Sequence, residues 1–308
     1  MSDGGSPAAP SRRIAVVGLG RMGLPICARL TRGNFTVFAS DARAELVDAA
    51  YAAGARWLPS AGAAAAEADV VITVLPGPDE VASLIEPLTA ALAPGSIWID
   101  MSTASPAVAR SVARAADRAG VRALDAPVGG SPDAAREGRL LSFVGGEERD
   151  LEDQRIVLAT VADRIVHVGP AGCGYAVKLL VNLLWFGQAV ATAEALALGR
   201  RAGIDPEVLR AALAQSAAAS SFIAQDARAL LRGEDHATFA LARCCEQLRS
   251  VLALGEELAV PLELAAVVED LYERAHERYG ERDGELLGAR YVAERGGLTL
   301  GGPDDRPS

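Results

Sequence analysis

Lys178 and Asn182 are spaced i, i+4 within an apolar stretch that reads as one helix, so their side chains share a helical face. An ammonium group inside an apolar helix is expensive unless it is paired or functional. Burial beside another cation would lower its pKa and prepare it for proton exchange near neutral pH. A lysine at a helix start also has the option of snorkelling to solvent, and the spacing alone does not choose between the two.

Gly18-Leu19-Gly20-Arg21-Met22-Gly23 is a GxGxxG pattern that follows an apolar run and opens a helix. In that setting Gly18 makes the tight turn, Gly20 admits a pyrophosphate and Gly23 packs helix on strand. The helix start then offers unpaired N–H groups to phosphate. Asp41 ends the next strand-like run, 21 residues after Gly20, where a carboxylate would accept from the ribose hydroxyls of NAD. Arg43 lies two residues on and is equally placed to pair with the 2′-phosphate of NADP. NAD is the favoured reading and NADP stays open. The bound nicotinamide would be the cation that depresses Lys178.

A third candidate is Asp125-Ala-Pro-Val-Gly129-Gly130-Ser131-Pro132. A loop so rich in turn formers either cradles a carboxylate on backbone N–H groups or is an ordinary tight turn.

The elements that must position these residues change character along the chain. Short apolar runs at 13–18, 35–40, 70–75 and 96–100 read as buried strands, with helices at 22–32 and about 44–53. Strands of that kind separated by helices imply a parallel sheet covered on both faces. After about Gly169 helical periods take over, at 174–202, 206–215, 220–232, 238–259 and 261–279. Gly203 suits a left-handed helix end, Asp205-Pro206 an N-cap with a first-turn proline, and Pro261 a break between helices. The expected architecture is α/β: a Rossmann-type doubly wound parallel sheet over 13–168, then an all-helical domain over 169–295 for substrate and dimerisation. The small, polar ends, 1–12 and 296–308, read as flexible tails.

Bulk properties narrow the partners to small molecules. A net charge of −10 argues against nucleic acid and against anionic membrane surfaces. Four cysteines (Cys27, Cys173, Cys244, Cys245) show no metal-binding spacing and read as reduced, mostly buried thiols of a cytoplasmic protein, with the adjacent pair on different sides of a helix. The stretch Ala176 to Gly199 is long enough to span a bilayer, but it carries Lys178 and Glu194 and reads instead as a helix buried on nearly all sides by protein.

Together these motifs resemble the β-hydroxyacid dehydrogenase family, which includes 3-hydroxyisobutyrate dehydrogenase and tartronate semialdehyde reductase. The likeness rests on GLGRMG at 18–23, Asp100-Met-Ser-Thr103, DAPVGGS at 125–131 and Gly172-Cys-Gly-Tyr-Ala-Val-Lys178-Leu-Leu-Val-Asn182, and runs from about Arg13 to Leu287. It implies Lys178 as the catalytic acid/base and Asn182 as the residue that orients substrate. It also implies Leu75, Pro76 and Thr103 beside the cofactor, and the Gly129–Ser131 loop on the substrate carboxylate. No metal is required, and a homodimer or homotetramer built on the long helix is implied.

Two departures stand out. The family has Ser-Gly-Gly where this chain has Gly129-Gly130-Ser131, which moves the hydroxyl to Ser131. It has Lys-Asp where this chain has Glu246-Gln247. Either Arg243 or Arg249 covers the acid, or the substrate has changed to a cationic amine or imine, as in the related imine reductases, or to a molecule with no carboxylate. A cofactor-binding sensor or assembly subunit without turnover is the reading from another class. Trp185, Phe222, Glu246 and Gln247 are further candidate lining positions.

Overall fold

The computed structural model describes residues 12–236 and 239–300. It divides into two compact units, Met1–Lys178 and Leu179–Ser308.

In the first unit nine strands are found among the described residues: β1 (Arg13–Val17), β2 (Thr36–Ser40), β3 (Arg56–Trp57), β4 (Val70–Thr73), β5 (Ile97–Asp100), β6 (Arg122–Asp125), β7 (Val128–Gly129), β8 (Leu140–Gly145) and β9 (Ala162–Gly169). Their order is β3-β2-β1-β4-β5-β6-β8-β7, with β9 on β8. Strands β1 to β6 pair in parallel, while β8 runs antiparallel to both β6 and β7. Chain order reverses at β1, which has β2 on one side and β4 on the other; in such sheets ligands collect at the strand ends beside that switch.

Successive side chains of a strand point to opposite faces, and β1 shows why both faces must be covered. Ile14 and Val16 join the core formed with Ile26, Leu30, Val157 and Leu158, whereas Ala15 and Val17 join the one formed with Leu88, Trp98, Val112 and Tyr175. The doubly wound sheet is therefore present as expected. The segments β3, β7, β8 and β9 were not anticipated; β9 is largely solvent-facing and lacks the apolar run that marked the others.

The helix Cys173–Arg201 passes from the first unit into the second. The units divide ten residues beyond the expected 168, because the first turn of this helix is fastened to β6 by hydrogen bonds from Gly172 N and Tyr175 N to Asp125. Its length and mean hydropathy of 1.4 are those of a membrane span, yet only 33% of its apolar window is buried. Burial on nearly all sides is thus not what this chain achieves alone. Phe186, Ala189, Ala193 and Leu196 pack into the helical core, while Leu180, Val181, Leu184 and Leu198 remain exposed on the other faces.

The second unit continues with helices Pro206–Leu213, Ala227–Leu231, Leu241–Glu257, Glu263–Tyr279 and Leu287–Arg295, and a π-helical turn over Phe222–Asp226. Gly203 has φ +84°, and Asp205 caps the next helix by accepting from Glu207 N and Val208 N. Both adjacent cysteines, Cys244 and Cys245, are buried in one core with Phe222, Leu248 and Tyr272, because positions 100° apart fit within one wide buried face. All four cysteines are free.

The expected tails lie partly outside the described residues, at 1–11 and 301–308. Their inner ends are ordered. Arg12 donates to Asp153 O at 2.8 Å and Gln154 Oε1 at 2.7 Å, and Leu298 is a core residue with 3% exposure. Leu298 and Leu300 both pack against the helical core, which draws 296–300 onto the fold.

Candidate functional site

The glycine loop joins β1 to the helix Gly23–Arg32. Gly18 has φ +92°, and a Cβ there would lie 2.3 Å from Val74 O. A Cβ on Gly23 would lie 1.9 Å from Gly18 O. Gly20 differs: a Cβ would meet no protein atom within 4 Å, so nothing in the fold requires a glycine there. Open space at that position, beside a helix start with no side-chain cap and no acidic residue in its first turn, fits the approach of a pyrophosphate. Leu19 is buried, Met22 half-buried and Arg21 exposed.

Asp41, just after β2, accepts from Leu19 N at 2.6 Å, which ties the strand end to the glycine loop. Arg43 grips the same carboxylate, Nε to Oδ1 at 3.0 Å and a second guanidinium nitrogen to Oδ2 at 3.2 Å. Burial pushes the Asp41 carboxyl up, but the hydrogen bonds and charge of Arg43 and the Leu19 N–H outweigh it and hold it below its ordinary value. The two residues that pull toward different cofactors are thus paired with each other.

Beyond β4, Leu75 N donates to Ser102 Oγ at 2.8 Å, and Ser102 N donates to Asp100 Oδ1 at 2.7 Å. These bonds bring the Leu75-Pro76 segment beside the Ser102-Thr103 segment at the same end of the sheet.

Gly129 ends β7 and pairs with Leu141 of β8, so the glycine-serine loop is the turn of a small antiparallel ribbon. Gly130 has φ +126°. Ser131 Oγ accepts from Ala134 N at 3.2 Å and caps the helix Pro132–Glu137; its hydroxyl proton is left to donate elsewhere.

Lys178 and Asn182 lie one turn apart on the long helix, both half-buried. The Asn182 side-chain amide donates to Gln247 Oε1 on the helix Leu241–Glu257. Glu246 pairs with Arg243 at 2.6 Å, whereas Arg249 pairs with Glu273 at 3.2 Å, so Arg243 is the residue that covers the acid. Phe222 is fully buried in the core. Trp185 packs edge-on against it at 5.2 Å and donates to Asp226 Oδ2 at 3.0 Å.

Several groupings had no sequence signal, although Asp100, Asp125, Tyr175 and Cys245 lie in segments the sequence singled out. Asp226, at the end of the π-helical turn, also faces His236 at 3.3 Å, and the hydrogen bond to Asp226 raises the His236 pKa. Asp100, Asp125 and Tyr175 form a buried group at the ends of β5 and β6. Cys245, Glu273 and His276 bring three donor atoms within 4.8 Å of one another. Glu273 is already held by Arg249 and His276 by Glu281 at 3.1 Å, and a guanidinium on one donor disfavours a second cation.

Residues 13–169 match the family described as the NAD binding domain of 6-phosphogluconate dehydrogenase. Residues 172–290 match the one described as NAD-binding of NADP-dependent 3-hydroxyisobutyrate dehydrogenase. The chain is 32% identical over 267 residues to 2-(hydroxymethyl)glutarate dehydrogenase of Eubacterium barkeri, covering 85% of this chain and 89% of that one. The solved structure of Mycobacterium tuberculosis 3-hydroxyisobutyrate dehydrogenase with L-serine superposes with a TM-score of 0.85 at 29% identity, over 92% of this chain and 99% of that one. An imine reductase from Myxococcus stipitatus shares the fold with a TM-score of 0.64 at 20% identity, over 92% and 99% of the two chains.

Proposed function

Because this chain belongs to the β-hydroxyacid dehydrogenase family, an oxidoreductase family with nicotinamide-binding domains that acts on CH–OH groups, we propose that it interconverts a small 3-hydroxy acid and its carbonyl form with Lys178 as general acid/base. The observation that carries this reading is the helical face shared by Lys178 and Asn182, with Asn182 held in place by Gln247.

Gly18 to Gly23 would hold the dinucleotide phosphates, Asp41 its ribose, and Leu75, Pro76 and Thr103 its nicotinamide end. When bound, the nicotinamide supplies the acceptor or donor of hydride. Lys178 takes the hydroxyl proton in oxidation and returns it to the carbonyl oxygen in reduction. Asn182, its amide already directed by Gln247, orients the substrate, and Gly129, Gly130 and Ser131 receive the substrate carboxylate. The reaction is accelerated mainly by position and electrostatics.

NAD is the favoured cofactor because Asp41 sits at the end of β2 with its carboxylate held ionised. The 13–168 segment is the cofactor domain and the helical segment serves substrate and assembly. The exposed Leu180, Val181, Leu184 and Leu198 support a homodimer or homotetramer in which a second subunit covers the long helix. Four free cysteines fit a reducing, cytoplasmic setting.

The test is steady-state oxidation of a hydroxy-acid panel with NAD and NADP, for wild type and Lys178→Met. A fall of about 100-fold or more in kcat with unchanged cofactor Kd supports the assignment; unchanged turnover removes it. Imine reduction is the second reading, favoured by the acid at Glu246 in place of a family lysine. The Arg243 pair, which neutralises that acid within its own helix, supports the hydroxy-acid reading. Cofactor binding with no turnover on either panel would instead indicate a sensor or assembly subunit.

A further inference from the structure

Asp100 and Asp125 end neighbouring strands and face each other across the β5–β6 register, with 2% and 3% exposure. Two carboxyl groups so placed do not both ionise readily. Asp100 Oδ1 accepts from Ser102 N, and its Oδ2 is buried beside the fully buried Tyr175 hydroxyl. Burial raises the Asp100 pKa above the ordinary carboxyl value.

Both oxygens of Asp125 are in use. Oδ1 accepts from Gly172 N at 2.8 Å and Oδ2 from Tyr175 N at 3.0 Å. These N–H groups belong to the start of the helix Cys173–Arg201, where unpaired backbone donors favour an anion. The approach requires glycine on both sides. A Cβ on Gly145 would lie 2.6 Å from Asp125 Oδ1, and one on Gly174 would lie 2.8 Å from Oδ2 and 2.5 Å from Asp125 O. Lys178 follows Tyr175 by three residues, less than one helical turn.

We propose that the Asp125 carboxylate is a positioning residue for Lys178: it docks the first turn of the long helix on the end of β6, and proton uptake by Asp125 releases the dock and slows proton transfer. The proposal rests on the reading of Lys178 as acid/base. A protonated carboxyl turns one acceptor oxygen into a donor facing an N–H, so it cannot hold both Gly172 and Tyr175. Burial, and after it the charge of Asp100, lifts the Asp125 pKa to about 6 against the pull of those N–H groups, which sets the change just below neutrality. The ionisable groups facing Asp125 are Asp100 from β5 and Tyr175 from the long helix. The helix Pro106–Arg118 contributes Ala109, Val112 and Ala113 to the same small cavity, and β8 contributes Gly145.

The experiment pairs amide hydrogen exchange with the pH profile of carbonyl reduction. Reduction needs protonated Lys178, so Lys178 alone predicts a rate that holds or rises toward acid. Docking by Asp125 predicts a fall below about pH 6 in the wild type. It also predicts faster exchange at residues 172–178, by about tenfold after correction for intrinsic rates. In Asp125→Asn the acid-side fall disappears, kcat is lower by about 10- to 100-fold at all pH values, and cofactor Kd stays within about twofold. Should that variant fail to fold, wild-type exchange decides alone. Unchanged protection of 172–178 between pH 8 and 5, or a flat wild-type reduction profile, overturns the proposal. Full turnover in Lys178→Met sinks the acid/base reading instead, and leaves the exchange result to judge the dock.

Discussion

The side-chain amide of Asn182 donates to Gln247 Oε1, so the residue one turn beyond Lys178 is directed by a neighbouring helix rather than by its own. By the resemblance of the motifs, Gln247 corresponds to the aspartate of the family's Lys-Asp pair. A neutral amide keeps the acceptor oxygen while dropping the charge.

Gln247→Leu removes that acceptor in a buried place, and Asn182 should lose its orientation. The expected result is a kcat/KM for the hydroxy acid about 10- to 100-fold lower, matching the loss of one buried hydrogen bond, with cofactor Kd unchanged. Gln247→Glu, which retains the oxygen, should recover most of it. A Leu variant with wild-type kcat/KM would show that this bond does not serve catalysis.

Glu246→Lys sets a second cation beside Arg243, which now pairs with Glu246 at 2.6 Å. If position 246 faces the substrate carboxylate, kcat/KM should rise on hydroxy acids and fall on amines. Parallel assays on both panels decide this, and an unmoved preference rules Glu246 out as a selector.

Gly20→Ala and Gly23→Ala separate cofactor space from fold space. An alanine at Gly20 meets no protein atom within 4 Å, whereas one at Gly23 meets Gly18 O at 1.9 Å. Gly20→Ala should leave the melting temperature of the cofactor-free protein nearly unchanged while weakening NADH binding by about tenfold or more. Gly23→Ala should lower stability by about 2–4 kcal/mol. Titration calorimetry and thermal unfolding read the two effects; equal behaviour of both variants would contradict the pyrophosphate assignment.

Arg43→Ala removes the guanidinium that now holds the two oxygens of Asp41 at 3.0 and 3.2 Å, leaving only the backbone bonds from Leu19 N and from the residue-43 N–H. NADH should bind several-fold more tightly and NADPH more weakly, as Asp41 remains to repel a 2′-phosphate. Looser NADH binding in this variant would argue against Asp41 as the ribose acceptor.

Asp125 also leaves a signature in stability. Its folded pKa, about 6, lies above the ordinary 3.8, so the folded chain binds this proton more readily than the unfolded chain. Stability from this group is therefore greatest below pH 3.8 and declines as pH rises between 3.8 and about 6, by about 3 kcal/mol in all. Asp125→Asn should flatten that slope in urea unfolding series at pH 4.5 and 7, and an identical slope would show that Asp125 is not the group responsible. A carboxylate kept ionised against its surroundings at the root of the lysine helix is the kind of feature that function, rather than stability, maintains.

Much of this protein was legible locally. The glycine loop, the strands β1, β2, β4 and β5, and the common face of Lys178 and Asn182 follow from patterns that span a few residues and repeat with the period of a helix or strand. The partners of Asp125 lie 47 and 50 residues downstream, and those of Asn182 and Arg12 lie 65 and 142 residues away, so no local pattern announces them. The strand β9 escaped because its solvent-facing residues carry no apolar signal, and the ordering of Leu298 depends on a pocket that exists only after the helices assemble. Sequence alone determined which residues are chemically equipped and which face each shares, because covalent spacing sets side-chain direction. Tertiary structure decided which charge is covered by which cation, which carboxyls are lifted by burial and which face of the long helix stays bare, because those outcomes depend on distances that only packing creates.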